Sequence, residues 1–377
     1  MGRPVLLVLL VDALGWEIVE RFGFGRDEFP VRAPLGTVLG YSSAAIPSLL
    51  SGATPAEHGS WSMFRRADRG GSFAFLSRLP HLPKPLEWRA RRWVRRYTDA
   101  RGGVRSYYSL YEIPLDLLHR FDVGLKGDPF QPGGLPRETV FDWMIRHGVR
   151  YRLWYYTTDE EANLTAAESA LGDESDVLFV YTAELDALMH RVGIFHHSVE
   201  ARLRRYAAFL SAMRRRAREK DVSLTTVVLS DHGMTDVTSV ADPWGTMNAQ
   251  GRRLGRDYLG FYDSTMLRVW GDSTVVDAAT AAMGGNGRRL SDDELRACGC
   301  FFPGREYGDA VLLAHPGVLI VPSFMGSARI AAMHGYDPGD RFSQGCFMSD
   351  VSDAPAPASL LGFKSYLSER CASTGRA

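Results

Sequence analysis

The sequence predicts an α/β fold with a mostly parallel central sheet, and three apolar runs support that prediction. Residues 5–11, 176–181 and 224–229 are short and rich in branched side chains, as the buried strands of parallel sheets are. Segments with helical character lie between them, so strands and helices alternate along the chain. With 377 residues the chain can form one large α/β domain or two ordinary ones.

Composition excludes several classes of protein. Apolar residues make up 45% of the chain and charged residues 23%, which is ordinary for a globular protein. Lys plus Arg equals Asp plus Glu at 44 each, so no global field attracts nucleic acid or membrane. Four cysteines are too few for a disulfide framework. The apolar run at 5–11 is too short for a signal peptide or for the ~18 residues of a membrane span, so we expect a soluble cytoplasmic protein.

The first strand, residues 5–11, ends at Asp12, and Gly15 and Trp16 then open a helix. An acidic residue at the tip of such a strand is a common ligand position, because ligands bind at the carboxyl edge of open α/β sheets. Asp12 is equally suited to cap the helix that follows. Both interpretations stay open at this point.

A serine pair follows in a small-residue segment, residues 39–52. Ser42 and Ser43 lie near the start of a helix that ends at Gly52, where free amide groups favour an anion. A serine there is either a nucleophile or a helix N-cap. Residues 53–59 are predicted to form a turn.

Residues 61–106 carry twelve basic and three acidic residues, which is a local excess of nine positive charges. Trp88, Trp93 and Tyr97 interleave with arginines over 85–97, so a basic amphipathic helix is expected there. We interpret residues 60–135 as an insertion outside the βα alternation. Three roles are open for the exposed side of its helix. It is only solvated, it attracts an anionic substrate to the rim of the site, or it makes peripheral contact with an anionic membrane.

Two acidic–histidine pairs follow later strands. Asp186 and His190 are four residues apart, so they share one face of a helix. Asp231 and His232 leave the end of the 224–229 strand together, and Gly233 is expected to let the backbone turn there. Either pair alone is more often a turn, a cap or a solvated ion pair than a metal site.

The remaining elements are predicted more coarsely. Residues 240–315 are interpreted as a second, cap-like insertion, and His334-Gly335 forms a second histidine–glycine turn. We predict helices at 136–145, 198–220, 273–303 and 360–370, strands at 150–156, 261–270 and 318–321, and a linker at 353–357.

The strand-end candidates together offer three carboxylates and three imidazoles. This set is enough for two metal ions with positions left for a substrate. Ser42 would then supply the attacking oxygen of a phosphoryl transfer. The ligand candidates are Asp12, Asp186, His190, Asp231, His232 and His334.

The order of these motifs resembles the alkaline phosphatase superfamily, and most closely its type I phosphodiesterase/nucleotide pyrophosphatase branch. The resemblance covers residues 5–350 and includes the Pro55-x-x-His58-Gly59 turn and the run 263–266. It implies an alkaline-phosphatase-like three-layer sandwich with a mostly parallel central sheet and inserted cap segments. It also implies a hydrolase that cleaves a phosphodiester or pyrophosphate bond in a small organic phosphate.

The resemblance implies a two-zinc site as well, with manganese as the alternative metal. One ion would be held by Asp186, His190 and His334. The other would be held by Asp12, Asp231 and His232 and would contact Ser42, which would attack phosphorus and form a phosphoseryl intermediate that water hydrolyses. Ser43 is the alternative nucleophile.

The sequence departs from the branch in two places. Met63 stands where the branch carries an asparagine, and Ser42 stands where the branch usually has threonine. No matched motif supplies the phosphate-binding arginine of the monoesterases, which favours the less charged diesters. Alternative functions are a phosphomonoesterase, phosphonate hydrolase or phosphate-group transferase at the same site, or a non-catalytic protein that binds an anionic surface.

Overall fold

The computed structural model describes residues 2–67, 70–78, 84–100 and 109–372, with the backbone alone at residues 84, 85 and 88. The strands are β1 (Arg3–Val11), β2 (Val31–Leu35), β3 (Phe64–Arg66), β4 (Phe121–Val123), β5 (Tyr151–Trp154), β6 (Val177–Thr182), β7 (Val222–Leu229), β8 (Thr235–Asp236), β9 (Ser239–Ala241), β10 (Leu259–Tyr262), β11 (Met266–Trp270), β12 (Gly287–Leu290), β13 (Ala310–Ala314), β14 (Val318–Ile320), β15 (Ala332–Met333) and β16 (Gly345–Ser349). The α-helices are α1 (Trp16–Phe22), α2 (Ser42–Ser51), α3 (Pro55–His58), α4 (Lys84–Ala100), α5 (Leu115–Leu118), α6 (Val140–Arg146), α7 (Glu160–Ala170), α8 (Glu184–Val192), α9 (His197–Glu219), α10 (Pro243–Ala249), α11 (Ser273–Ala282), α12 (Asp292–Ala297) and α13 (Phe363–Cys371).

The central sheet has six strands in the order β2-β16-β7-β1-β6-β5. β1 pairs in parallel with both β6 and β7, and within the described residues β16 alone runs against the others. Leu10 of β1 lies opposite Tyr181 on one side and Leu229 on the other. The carboxyl ends of β1, β6 and β7 therefore meet at one edge of the sheet.

Alternate side chains of β1 enter two separate apolar layers. Leu6, Val8 and Leu10 point into the layer that contains α2, α6 and α13. The intervening residues of the strand point into the layer that contains α1, α7, α8 and α9. This arrangement, helices on both faces of a mostly parallel sheet, confirms the predicted fold class.

Several local predictions were wrong. The predicted strand at 261–270 is a hairpin of β10 and β11, because residues 263–265 turn the chain between them. The helical prediction at 273–303 missed β12, which pairs with β13. The predicted turn at 53–59 contains the short helix α3 at residues 55–58, since Thr54 and Glu57 make a capping box.

The two predicted insertions pack against each other through aromatic side chains. β3 and β4 pair near the four-stranded antiparallel sheet β10-β11-β13-β12. The Phe121 ring lies 5.1 Å from that of Phe261, and Phe64 lies 5.6 Å from the same ring. Both segments therefore share one apolar cluster. The boundaries of the two insertions, 60–135 and 240–315, stay predictions.

Candidate active site

Three of the predicted residues follow adjacent strands of the central sheet. Asp12 comes directly after β1, and its amide donates to the carbonyl of Thr182 at the end of β6 at 2.8 Å. Asp231 and His232 follow β7 after Ser230. Because β1 lies between β6 and β7, these side chains converge on one point.

Asp12 does not cap the helix that follows it. The N-cap of α1 is Gly15, without a side-chain hydrogen bond. The backbone at Gly233 is not in the left-handed conformation, so the predicted glycine turn is not present there. A Cβ added at this position would lie 2.2 Å from the carbonyl oxygen of Phe342. Glycine is required at this position for a close backbone approach beside His232.

Asp186 and His190 project from the first two turns of α8, which begins just after β6. The predicted shared face is confirmed, because His190 Nε2 lies 3.3 Å from Asp186 Oδ2. Both side chains line the cavity in front of the sheet.

His334 reaches the same place through a local strand pairing. β15 pairs with β8, so the segment before His334 lies beside the segment that follows His232. The two imidazole rings stack with centroids 3.9 Å apart and an angle of 12° between their planes. His334 Nε2 lies 3.5 Å from Asp186 Oδ1.

Ser42 is the first residue of α2, and its hydroxyl faces these ligands. Ser42 Oγ lies 2.9 Å from His232 Nε2 and 3.5 Å from Asp12 Oδ1. The N-cap of α2 is Tyr41, without a side-chain hydrogen bond, so of the two interpretations of the serine pair that of an N-cap is excluded. Ser43 lines the same cavity, but these two contacts belong to Ser42.

All seven predicted site residues thus lie together, and two tight ligand groups can be distinguished among the described residues. In the first group, ligand atoms of Asp12, Asp231 and His232 all lie within 4.8 Å of one another. In the second, those of Asp186, His232 and His334 do. His232 lies between the two groups, and His190 adjoins the second through Asp186.

The three carboxylates lie close together, with Asp12 and Asp231 buried and Asp186 half-buried. Burial raises the pKa of Asp12 well above its ordinary value, and the negative charges of Asp231 and Asp186 raise it further. Burial also raises the pKa of Asp231, more than the neighbouring His232 lowers it. Burial acts in the same direction on Asp186, but the nearby imidazoles, above all that of His190, bring its pKa below the ordinary range.

The donor set fits divalent cations. Asp231 Oδ2, Asp186 Oδ1 and His334 Nδ1 are buried and have no hydrogen-bond partner among the described residues. Buried polar atoms are normally satisfied, and a cluster of buried carboxylates needs positive charge. Carboxylate oxygen and imidazole nitrogen together are zinc-type ligands.

Backbone carbonyls orient two of the imidazoles. His190 Nδ1 lies 2.8 Å from the carbonyl oxygen of Ala332, and His232 Nδ1 lies 2.9 Å from that of Gly233. Since a carbonyl can only accept, Nδ1 carries the proton in both rings and Nε2 presents its lone pair to the site when the ring is neutral.

A cavity of about 480 Å³ opens in front of the ligands. Aromatic and aliphatic side chains form most of its wall, and no Lys or Arg lies among its described lining residues. The predicted departure at Met63 falls on this wall. The apolar wall residues beyond the ligands include Tyr111, Val123, Leu125, Phe130, Tyr156 and Met325.

Sequence reasoning missed Tyr181, which belongs to the site. Its hydroxyl donates to Asp12 Oδ2 at 2.5 Å, and both residues are buried. Burial and the charge of Asp12 raise the pKa of Tyr181, so it remains a donor. Tyr181 is the second-last residue of β6, which pairs with the strand that precedes Asp12, and this position is the signal that could have identified it.

Comparisons with known proteins agree with this geometry. The profile of a family described as type I phosphodiesterase / nucleotide pyrophosphatase matches residues 6–337. A comparison with curated proteins gave no match.

Solved structures of murine and human ectonucleotide pyrophosphatase / phosphodiesterase 5 superpose with TM-scores of 0.67 and 0.66, over 98% of this chain and 95% of theirs, at 12% identity. An inactive variant of the murine protein in complex with AMP gives a TM-score of 0.68 with the same coverage and identity. At this identity the structural likeness establishes the fold alone.

Proposed function

Because the chain belongs to the type I phosphodiesterase/nucleotide pyrophosphatase family of hydrolases, we propose that it cleaves a phosphodiester or pyrophosphate bond with Ser42 as nucleophile and two divalent cations as cofactors. One observation supports this proposal above the others. A serine hydroxyl at the start of a helix lies within 3.5 Å of both an imidazole and a carboxylate of a buried ligand cluster.

The residues around Ser42 suit attack on phosphorus. The first amide groups of a helix have no acceptor within the helix, so those of Ser42 and Ser43 can bind non-bridging phosphate oxygens. Ser42 Oγ is held beside His232 Nε2, and Tyr181 fixes the orientation of the Asp12 carboxylate. The attacking oxygen is thus placed before a substrate arrives.

Asp12, Asp231 and His232 would hold one cation, and Asp186, His190 and His334 the other. We propose zinc for both, with manganese as the alternative. Such ions supply a Lewis acid that neutralises phosphate oxygens and makes a hydroxyl easier to deprotonate.

The lining of the cavity supports a diester rather than a monoester as the substrate. A monoester carries more negative charge, and no Lys or Arg is present among the described lining residues to compensate it. Met63 offers no strong donor on the wall, and the described residues of the arginine-rich segment contribute no arginine there. The murine relative with AMP supports a ligand of nucleotide size, which the cavity volume can hold.

The alternative activities, the partners and the location of the protein are also matters of proposal. A monoesterase, phosphonate hydrolase or phosphate-group transferase would use the same residues, and a non-catalytic binding protein would not need the buried ligand cluster. We expect no nucleic acid as partner. A cytoplasmic location is supported by the four cysteines, all among the described residues, since none of them forms a disulfide.

Substrate profiling tests the proposal. Zinc-loaded wild type should hydrolyse bis-p-nitrophenyl phosphate faster than p-nitrophenyl phosphate, and Ser42→Ala should hydrolyse neither. Faster turnover of the monoester would replace the diesterase assignment with a monoesterase. No turnover of either ester, together with less than one bound metal equivalent, would favour the binding protein.

A further inference from the structure

The surface of α4 carries an apolar cluster that the proposed chemistry does not use. Leu86 and Trp93 are 52% and 55% exposed, and Phe75, from the preceding segment, is 38% exposed. These are three of the six large hydrophobic side chains that are exposed among the described residues. The Phe75 ring lies 5.9 Å from Trp93 and 4.5 Å from Tyr97, so this aromatic surface is continuous.

Contacts on another side of α4 fix its orientation. Val94 and Thr98 are buried, and the Arg91 guanidinium donates to the carbonyl oxygens of Tyr111 and Ile113. Leu86, Trp93 and Tyr97 are separated by seven and four residues, so they form one stripe along the helix. The buried Val94 and Thr98 lie about 100° around the helix from this stripe. The stripe is therefore presented outward by packing within the molecule.

A basic stripe borders the apolar one. Arg89, Arg92 and Arg96 are exposed, and their spacing of three and four residues places them along one side of the helix. Over 84–100 the chain has six basic and two acidic residues, although the whole chain is balanced at 44 of each. Both acidic residues face arginines of the same helix, Glu87 at 2.6 Å from Arg91 and Asp99 at 3.9 Å from Arg95.

We propose that α4 is a docking surface for an anionic phospholipid membrane, lying in the plane of the interface. Exposed tryptophan, leucine and phenylalanine beside a row of arginines is the pattern of helices that bind such surfaces. A nucleic acid or other soluble polyanion would engage the arginines but give no role to the apolar stripe. Within the described part of the chain, no helix is both long and apolar enough to cross a bilayer, so the contact is peripheral.

The docking surface adjoins the cavity without being part of it. Arg91 binds the backbone of Tyr111, and the Tyr111 side chain lines the cavity wall. Docking through α4 would hold this side of the cavity near the membrane. The proposal stands without the proposed catalytic function, because it concerns side chains outside the ligand cluster.

Co-sedimentation with lipid vesicles tests the docking surface without reference to turnover. The full-length protein should bind vesicles of phosphatidylcholine with phosphatidylglycerol, bind pure phosphatidylcholine far more weakly, and dissociate at high salt. Replacing Phe75 and Trp93 by alanine should lower the partition coefficient at least about tenfold. Replacing Arg89, Arg92 and Arg96 by alanine should lower it about a hundredfold.

Matched variants control for surface change alone. Ile145→Ala removes an exposed apolar side chain elsewhere, and alanine at Arg204, Arg215 and Arg218 removes three exposed positive charges from α9. Both should bind as wild type does, and all variants should hydrolyse bis-p-nitrophenyl phosphate at the wild-type rate.

Three results would overturn the proposal. The first is no binding to either kind of vesicle, and the second is equal binding to anionic and neutral vesicles. The third is a loss of binding in the α9 control as large as that in the α4 arginine variant. Displacement from vesicles by RNA, together with unchanged binding in the Phe75/Trp93 variant, would assign the surface to a soluble polyanion instead.

Discussion

Ser42 Oγ lies 2.9 Å from His232 Nε2, although 190 positions separate the two residues in the chain. The contact joins the start of α2 to the loop that follows β7. It places a potential nucleophile against the one imidazole that belongs to both ligand groups.

Ser42→Ala should lower kcat for a diester at least about a thousandfold, because it removes the oxygen that we propose as the nucleophile. Ser43→Ala should stay within about tenfold of wild type, since Ser43 lacks the contact with His232. Ser42→Thr should retain measurable activity, because it keeps the hydroxyl. Neither alanine variant should change Tm appreciably, since neither serine caps α2. A larger loss in Ser43→Ala than in Ser42→Ala would exchange the two roles.

Asp231→Asn and His334→Ala should each lower the bound metal from two equivalents towards one, because each removes a ligand from a different group. His315→Ala, an exposed histidine outside the site, should keep both equivalents. Elemental analysis after dialysis against zinc measures the stoichiometry. Unchanged metal content in both ligand variants would contradict the assigned ligand set.

Tyr181→Phe should lower kcat about tenfold or more, because the Asp12 carboxylate loses the donor that orients it. The folded protein should lose about 1 kcal/mol of stability, as expected for one hydrogen bond. Steady-state kinetics and urea unfolding, measured on the same preparation, separate the two effects. A loss of stability without a loss of kcat would mean that Tyr181 is structural only.

Asp263→Asn should lower the free energy of unfolding by about 3–5 kcal/mol, because it leaves the buried Arg268 guanidinium without its charge partner. Arg268 also donates to the carbonyl oxygen of Phe64 and to Ser62 Oγ, which fixes the segment that carries Met63 into the cavity wall. Asp257→Asn, in the exposed pair with Arg256, is the control and should change stability little. Urea unfolding measures the stability of both variants. Equal losses would show that the buried ion pair stabilises the protein no more than the exposed one.

Stability should fall between about pH 6.5 and pH 4 partly because of His58. Burial lowers the pKa of this imidazole from 6.5 to about 4, so the unfolded chain binds a proton in this window that the folded protein excludes. The stability that the neutral, buried imidazole allows is fully present above pH 6.5. It falls by on the order of 3 kcal/mol as the pH is lowered to 4 and below. His58→Gln should flatten this part of the stability profile relative to wild type, and His315→Gln should not. An unchanged slope in His58→Gln would refute the assignment.

The parts of the site that could be predicted from sequence are those carried by strand ends. Asp12, Asp231 and His232 follow apolar runs that are recognisable as buried strands, and parallel pairing brings such ends together. The spacing of Asp186 and His190 fixes a shared helix face wherever the helix lies. His334 follows β15, a strand of only two residues that no local sequence pattern reveals. Its position beside His232 was therefore predicted from the family resemblance.

The parts that could not be predicted depend on long-range pairing. β16 lies inside the central sheet between β2 and β7, yet its five residues, 345–349, contain no valine or isoleucine. Its antiparallel partners lie more than a hundred residues away, and no local signal identifies them. The cavity wall has the same origin, because Tyr111, Phe130 and Met325 meet only through tertiary packing.

A crystal structure of the zinc-loaded protein with vanadate, recorded at the zinc absorption edge, tests the central claim most directly. The account predicts two anomalous peaks, one among Asp12, Asp231 and His232 and one beside Asp186, His190 and His334, with vanadium bonded to Ser42 Oγ. Zinc peaks elsewhere, or vanadate bound away from Ser42 with both ligand groups empty, would contradict it.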